Sequence, residues 1–215
     1  MRASKIAVIL LGRPGSGKDT QAELLAKKFG LIHLISSGII KEVLAIKKEI
    51  IRLEGRVYNI DKERRAIRSG RLNSLAFVAA LMKDEIKKVA RSGRGLILSA
   101  SPRSLTELKK EIPLLEKLFG RDNIYFFHVV ISPKEVYIRN LKRRRKDLPE
   151  LDTRKIIKKR LETFNRYTWP VIKLLKKQKK IIDINGEQKI MKIHRDILRA
   201  LSLSFPLIRG NEKGV

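Results

Sequence analysis

A glycine-rich stretch near the start of the sequence, GRPGSGKDTQ (residues 12–21), has residue types that can bind phosphate groups. Gly12, Gly17 and Lys18 fit the spacing G-x-x-x-x-G-K, in which backbone N–H groups converge on phosphate oxygens and a lysine supplies a positive charge. Glycine suits such a loop because a Cβ atom would obstruct the approach of the phosphate. The alternative, a plain glycine turn, does not account for the lysine. The stretch therefore predicts a site for a nucleoside triphosphate.

The residues on either side of this loop predict a strand before it and a helix after it. KIAVILL (residues 5–11) is a short apolar run with branched side chains, which is typical of a strand buried on both faces. After the loop, apolar residues recur at helical spacing as far as Phe29, and Gly30 predicts the end of the helix. The unpaired N–H groups and the positive dipole end of that helix would add to an anion site.

The remaining sequence continues the alternation of strands and helices. Four further apolar runs predict strands, at residues 31–35, 95–102, 123–132 and 180–186. Helical spacing predicts helices at about residues 39–53, 62–68, 75–91, 104–120, 133–146, 153–177 and 187–201, with a kink or break at Pro113. We therefore expect an α/β fold in which a five-stranded parallel sheet is flanked by helices on both faces.

The composition limits the classes of protein and of partner. The 215 residues are enough for one domain over residues 1–205 and a tail at 206–215. The 50 Lys and Arg against 22 Asp and Glu give a formal net charge of +28, so non-specific nucleic-acid contact is one expectation and a plain basic, solvated surface is the alternative. No apolar run approaches the ~20 residues of a membrane span, and the absence of cysteine fits a cytoplasmic protein.

The fuller stretch GRPGSGKDTQAELLAKKFGLIHL resembles the adenylate kinase and nucleoside monophosphate kinase family, whose loop reads G-x-P-G-x-G-K-G-T-Q. The resemblance returns at SPRS (residues 101–104), at LKRRRK (residues 141–146) and at residues 157–172. It implies a P-loop kinase fold with a monophosphate-binding arm at about residues 36–73 and a short lid at about residues 143–152. It also implies a monomeric enzyme that transfers the γ-phosphoryl group of ATP, with Mg²⁺, to a nucleoside monophosphate, by default AMP.

The resemblance also implies roles for individual residues. The catalytic residues would be four cations, namely Lys18, Arg103, Arg143 and Arg160. The ATP-binding residues would be Pro14, Gly15, Ser16, Gly17, Lys18, Asp19, Thr20, Arg139 and Arg143. The monophosphate-binding residues would be Ser36, Lys41, Arg71, Leu72, Asn73, Arg103, Glu107 and Arg160. Such a cation-rich site suits phosphoryl transfer, which depends on positioning two anions and on neutralising charge.

Two residues in the phosphate region depart from the family pattern. Ser99 stands where the family has an aspartate that orients Mg²⁺ through water, and Asp19 directly follows the lysine of the loop. We hypothesise that Asp19 supplies the missing carboxylate and acts on the metal through water, because Mg²⁺ often keeps waters that carboxylates hold. The alternative is that Asp19 only complements the dipole of the helix that it begins.

The acceptor side and the lid also depart from the pattern. Without an alignment gap, Lys41 takes the place of an arginine that grips the monophosphate, and it lacks the two-pronged hydrogen bonding of arginine. With a one-residue insertion, Glu42 would take that place and would repel phosphate. If Asp152 is the second residue of the family's DD pair, Pro149 stands where the lid has another arginine. Glu107 stands where a glutamine commonly reads adenine. Two alternatives stay open: another acceptor such as CMP or UMP, and a fold that binds nucleotide or RNA without turnover.

Overall fold

Five parallel strands form the central sheet of the molecule. The computed structural model describes residues 5–68, 73–99, 101–143 and 152–204. The strands within these ranges are β1 (Ala7–Gly12), β2 (Ile32–Ile35), β3 (Ile50–Leu53), β4 (Arg56–Asn59), β5 (Leu96–Ser99), β6 (Ile124–Val130) and β7 (Ile181–Asn185). The main sheet has the order β2-β5-β1-β6-β7, and all of its neighbouring strands are parallel. The predicted α/β fold with a five-stranded parallel sheet is therefore confirmed.

Helices connect the strands. Within the described residues they are α1 (Lys18–Phe29), α2 (Ser36–Ala45), α3 (Ile60–Arg68), α4 (Leu75–Arg91), α5 (Leu105–Phe119), α6 (Pro133–Arg143), α7 (Arg154–Thr163), α8 (Trp169–Lys177) and α9 (Ile190–Ser204). A short 3₁₀ turn at Arg121–Asn123 precedes β6, and a π-helical turn at Phe164–Thr168 joins α7 to α8. None of the described helices has the length and apolar character needed to cross a membrane.

The alternation of side chains along β1 divides the hydrophobic core into two parts. Ala7, Ile9 and Leu11 pack in one cluster with residues of α4, α5 and α8, such as Phe77. Val8 and Leu10 point to the opposite face and pack in a second cluster with residues of α1 and α9. This arrangement follows from the two-residue period of a strand, and it requires a strand that is apolar on both faces.

The order of the strands places the loop after β1 at a switch point of the sheet. β1 lies between β5 and β6; the chain forms β2 and β5 on one side of β1 and then continues with β6 and β7 on the other side. In open parallel sheets, ligands bind beyond the carboxyl ends of the strands at such a point. Ser99, at the end of β5, is in register with Leu10 of β1 and Ile35 of β2. Ser99 thus lies at the same edge of the sheet as the glycine-rich loop.

The helix predicted at about residues 39–53 is wrong in its second half. The helix α2 ends at Ala45, and the following residues form the antiparallel hairpin of β3 and β4. Glu54 and Gly55 connect the two strands with φ angles of 51° and 73°. Two-residue hairpin turns of type I′ need positive φ at both residues. The branched side chains on either side of this pair favour the extended backbone, and they outweighed the helical spacing.

Two predictions about helix continuity also differ from the structure. Pro113 lies inside α5, which runs without a break from Leu105 to Phe119, so of the predicted kink or break the break is wrong and the kink stays a prediction. The carbonyl that Pro113 leaves without a helical partner belongs to Lys109, whose side chain is exposed on the solvent side. The helix predicted at residues 153–177 is interrupted by the π-helical turn just before Pro170. Proline lacks the N–H group that a regular helix would need there, and a wider turn accommodates this loss.

Candidate active site

A cavity of about 490 Å³ lies at the carboxyl edge of the sheet, next to the glycine-rich loop. Its lining includes loop residues, the ends of strands and side chains from α6 and α7. The charged and polar side chains that matter most for its chemistry are Lys18, Asp19, Ser99, Arg103, Arg143 and Arg160. The structure therefore brings together the four cations that the sequence predicted as catalytic, although they are far apart along the chain.

The loop between β1 and α1 has the shape of an anion-binding turn. Gly17 precedes the helix with a φ angle of 88°, which a residue with a Cβ atom rarely adopts. Pro14 and Gly15 line the cavity, and Ser16 is fully buried beneath the loop. Thr20 is exposed on the first turn of α1 and does not belong to the cavity lining. The first N–H groups of α1 have no partner within the helix, so the loop offers donors to an anion.

Lys18 lies in a strongly positive environment. Its side chain is 11% exposed, and its Nζ lies 4.0 Å from Oδ2 of Asp19. Burial lowers the pKa of Lys18, the charge of Asp19 opposes this effect, and Arg103, Arg160 and Arg143 lower the pKa further. Like charges around a buried amine favour its neutral form. A bound anion would relieve this repulsion, so the group of cations is arranged to receive negative charge.

Asp19 is connected to the end of β5. Burial raises the pKa of Asp19, but the charge of Lys18 and a hydrogen bond from Ser99 outweigh burial, and the net pKa is lowered. The Oγ of Ser99 also lies 2.8 Å from Nε2 of His33 on β2. The side chain of Asp19 is 48% exposed. An ionised, accessible carboxylate therefore lies beside the position where the sequence lacks the family's aspartate.

Arg103 links the end of β5 to the beginning of α2. Its Nη2 donates a hydrogen bond to Oγ of Ser36 at 3.0 Å, and Ser36 is 4% exposed. Arg103 and Ser36 were both predicted to bind the monophosphate, and the structure places them in contact. The contact involves the ends of β2 and β5, which lie on one side of β1, whereas α6 follows β6 on the other side of β1.

Glu107 belongs to a variant of the capping box that the sequence interpretation overlooked, in which its carboxylate binds the backbone N–H of the residue before the N-cap Ser104. Ser104 precedes α5, and its Oγ accepts a hydrogen bond from the backbone N–H of Glu107 at 3.2 Å. The carboxylate of Glu107 accepts a hydrogen bond from the backbone N–H of Arg103 at 2.7 Å. The sequence SLTE has the S-x-x-E pattern of this motif. Glu107 therefore fixes the backbone that carries Arg103, and its predicted role in reading a base stays a prediction.

The lid-side cations occupy different environments. Arg143, at the end of α6, and Arg160, on α7, line the cavity. Arg139 does not belong to the lining: its Nε donates to Glu135 at 2.6 Å and its Nη2 donates to the carbonyl of Gly186 at 2.8 Å. Most of the predicted lid at residues 143–152, including Pro149, lies outside the described residues.

Two of the arm residues predicted to bind the monophosphate, Lys41 and Asn73, do not line the cavity, whereas Ser37 does. Lys41 and Glu42 are both exposed on α2, and neither lines the cavity. The side-chain amide of Asn73 donates to the carboxylate of Glu63 at 2.9 Å, which joins α3 to the start of α4. Arg71 and Leu72 lie outside the described residues, as does the predicted tail at 206–215.

Comparison with known proteins identifies the family. The family model for adenylate kinase matches residues 10–180. The chain belongs to the adenylate kinase family. It is 30% identical to human adenylate kinase isoenzyme 5 over 190 residues, which is 87% of this chain but 31% of that protein. It is 28% identical to adenylate kinase 1 of Nostoc sp. over 195 residues and 27% identical to adenylate kinase of Fusobacterium nucleatum over 221 residues, in both cases 90% of this chain and 97% of the relative.

Membership of the adenylate kinase family supports nucleotide binding and phosphotransfer, of the nucleoside monophosphate kinase type. The resemblance inferred from the loop is thereby confirmed, together with the fold. Sequence reasoning nevertheless missed a fifth cation of the cavity lining, Lys159, and several residues that support the site from outside the lining. His33 contacts Ser99, and Arg13 donates to the carbonyl of Ile131. Asn140 contacts the loop and Arg160, and nothing in its sequence surroundings, between Arg139 and Leu141 on a predicted helix, marks it out.

Proposed function

We propose that the chain catalyses the reversible transfer of the γ-phosphoryl group of ATP to AMP. The observation that supports this most directly is the convergence of Lys18, Arg103, Arg143 and Arg160 on one cavity. Phosphoryl transfer needs positioning and neutralisation of charge, and these cations can supply both. AMP is the proposed acceptor because the relatives at 97% coverage of their own length are named adenylate kinases.

The two substrates would occupy opposite sides of the cavity. The loop of Pro14, Gly15 and Gly17, with Lys18, would bind the β- and γ-phosphates of ATP through backbone N–H groups and the ammonium group. Arg103 and Ser36, which already contact each other, would bind the phosphate of the acceptor. The transferred group would then pass between the two, near Arg143 and Arg160. Some proposed site residues do not line the cavity and stay proposals: Ser16, Thr20, Arg139, Lys41, Asn73 and Glu107. Of these, Glu107 contacts the backbone of a cavity residue, Arg103.

Mg²⁺ fits the donors that the chain offers at this place. The described residues hold no group of three or more histidine, cysteine or acidic side chains that could bind a metal on their own. Mg²⁺ at phosphate sites is commonly held by one or two carboxylates together with substrate phosphates and waters. Asp19 would hold the hydrated ion, with Ser99 orienting its carboxylate. When bound, Mg²⁺ would neutralise charge on the phosphate oxygens.

The chain's own groups would do the remaining work without an acid–base residue. Lys18 would balance the charge that develops between the two outer phosphates, and Arg160 and Arg143 would stabilise the moving phosphoryl group from the lid side. The hydrogen bond from Arg103 to Ser36 would orient the guanidinium group of Arg103, and this group would hold the acceptor phosphate in line with the γ-phosphate of ATP. Closure of the arm and lid would exclude water, so the phosphoryl group would be transferred to the acceptor and not to a water molecule.

The test is ADP formation in a coupled assay with ATP, Mg²⁺ and, in turn, AMP, CMP, UMP, GMP and dTMP. We expect turnover with AMP, and a loss of ~100-fold or more in kcat for Lys18→Ala, which removes a charge from the transition state. Lys27→Ala is the matched control, because it removes the same charge from the exposed side of the same helix. Equal activity of the Lys18→Ala variant and the wild type would overturn the assignment.

A different acceptor is the second candidate. It is favoured by the capping contacts of Glu107, which occupy a side chain that stands at a base-reading position. Turnover with CMP or UMP and none with AMP would establish this alternative. ATP binding without any turnover would favour the nucleotide- or RNA-binding function. Four features stay predictions: the single domain, the boundaries of the arm and the lid, the monomeric state and the cytoplasmic location.

A further inference from the structure

A buried amide lies between the phosphate loop and the lid-side helices. Asn140 on α6 is 0% exposed. Its Nδ2 donates to the carbonyl of Val136 at 2.8 Å and to the carbonyl of Pro14 at 3.2 Å. Its Oδ1 accepts a hydrogen bond from Nη1 of Arg160 at 3.4 Å. Burial of an amide is unfavourable unless it is hydrogen-bonded, and here both ends of the amide are used. The side chain thereby joins α6, the loop and α7.

The loop and this amide are closely fitted to each other. A Cβ atom added to Gly15 would lie 2.5 Å from Nδ2 of Asn140, which is closer than real contacts allow. The loop backbone therefore lies directly against the amide, with no space for a side chain at position 15. Because the interior of a protein is close-packed, this contact restricts the movement of the loop relative to α6.

The contact with Arg160 has a chemical advantage over an ion pair. Arg160 lines the cavity. The pKa of Lys18 is lowered first by burial, which the charge of Asp19 opposes, and then by the positive charges of Arg103 and Arg160. An amide oxygen is a neutral acceptor, so it can orient the guanidinium group and leave its positive charge available. A carboxylate at the same place would pair with the guanidinium and reduce the charge that faces a phosphate.

We propose that Asn140 is a positioning residue that fixes the guanidinium of Arg160 relative to the phosphate loop. Its effect on rate rests on the phosphoryl transfer proposed above. A long arginine side chain has many rotamers, and fixing one of them in advance removes an entropic cost from the transfer step. The same amide donates a hydrogen bond to the carbonyl of Pro14, so one side chain positions both the phosphate loop and Arg160.

The first test separates positioning from general stability by kinetics. Asn140→Leu removes the amide and keeps a similar volume, and we expect kcat to fall by ~10- to 100-fold while the KM for ATP changes by less than ~3-fold. In an Arg160→Met background, the same change should alter kcat by less than ~2-fold, because the group to be positioned is gone. Val136→Ala is the control: it removes buried atoms one turn earlier on the same helix and should leave kcat within ~2-fold.

A second variant changes the chemistry of the side chain and not its size. Asn140→Asp adds a charge and replaces the Nδ2 donor with an oxygen, and we expect reduced kcat, since the carboxylate pairs with Arg160 and no longer donates to the carbonyl of Pro14. Urea unfolding of each variant shows whether it is folded. A loss of equal size in the wild-type and Arg160→Met backgrounds, or wild-type kcat in Asn140→Asp, would overturn the proposal.

A third measurement does not depend on turnover. The guanidinium nitrogen signals of Arg160 can be followed by ¹⁵N NMR and assigned with Arg160→Lys. We expect restricted rotation of this group in the wild type and in Val136→Ala, and fast averaging in Asn140→Leu. The same fast averaging in the wild type would overturn the inference. If the wild type transfers no phosphoryl group to any acceptor, the proposed function fails, while this experiment still decides whether Asn140 fixes Arg160.

Discussion

Glu111 on α5 provides a quantitative test of how burial controls the charge of a carboxyl group. Its side chain is 2% exposed, and its Oε1 accepts a hydrogen bond from Oγ of Ser101 at 2.9 Å. Its Oε2 has no hydrogen-bond partner among the described residues. Burial raises the pKa of Glu111 from 4.5 to about 8, although the hydrogen bond from Ser101 opposes this rise. Glu111 is therefore protonated in the folded protein at neutral pH.

The perturbation that exposes this effect is Glu111→Gln, which keeps an oxygen acceptor for the hydroxyl of Ser101 and cannot ionise. Between the unfolded pKa of 4.5 and the folded pKa of about 8, the folded wild type holds a proton that the unfolded chain has lost. Stability then falls as pH rises, by about 1.4 kcal/mol for each pH unit. From pH 5 to pH 7 the variant should therefore gain about 3 kcal/mol relative to the wild type.

Urea unfolding of both proteins at about pH 5, 6, 7 and 8, at one ionic strength, measures this difference directly. Histidines and other groups titrate in both proteins, so the difference between the two curves isolates Glu111. Glu116→Gln is the matched control, because it makes the same change on the same helix at a side chain that reaches solvent and contacts Arg121. Parallel pH dependences of the wild type and Glu111→Gln would refute the conclusion that Glu111 is buried as a neutral acid.

Further substitutions test the phosphate region and the cap of α5. Asp19→Gly should raise by ~10-fold the Mg²⁺ concentration needed for half-maximal ATP binding, measured by titration, and an unchanged requirement would exclude the metal role. Gly15→Ala should destabilise the protein by ~1–3 kcal/mol in urea unfolding, because the residue has a φ angle of 81° and faces Asn140; unchanged stability would contradict that geometry. Ser104→Ala should cost ~1 kcal/mol by loss of the cap, and a smaller cost for Ser104→Thr would show that the hydroxyl is responsible.

The sheet and the phosphate loop could be predicted because local patterns determine them. β1 is apolar at every position since both of its faces are covered, and that signal is visible in the sequence alone. The loop carries its own geometry, because glycine at position 17 allows the positive φ angle that ends the turn. The family resemblance predicted that Arg103, Arg143 and Arg160 belong to one site, because no local pattern indicates that residues so far apart along the chain lie together.

The features that were missed depend on contacts between distant segments. The hairpin of β3 and β4 was read as a helix because its apolar residues also fit helical spacing over a short window. Asn140 looked like an ordinary helix residue, and only the fold shows that Pro14 and Arg160 lie beside it. Glu107 was compared with a base-reading glutamine, whereas its local capping motif was present in the sequence and was not recognised.

The complete burial of β1 has a consequence for the motions of the molecule. Residues 7–11 are all 0% exposed, and the strand is hydrogen-bonded to β5 on one side and to β6 on the other. Amide hydrogens in such a position exchange with solvent only when the whole domain unfolds. The glycine-rich loop is thus attached to the part of the protein that opens least often. Local opening elsewhere, in the exposed hairpin for example, can occur many times without disturbing the anchor of the phosphate site.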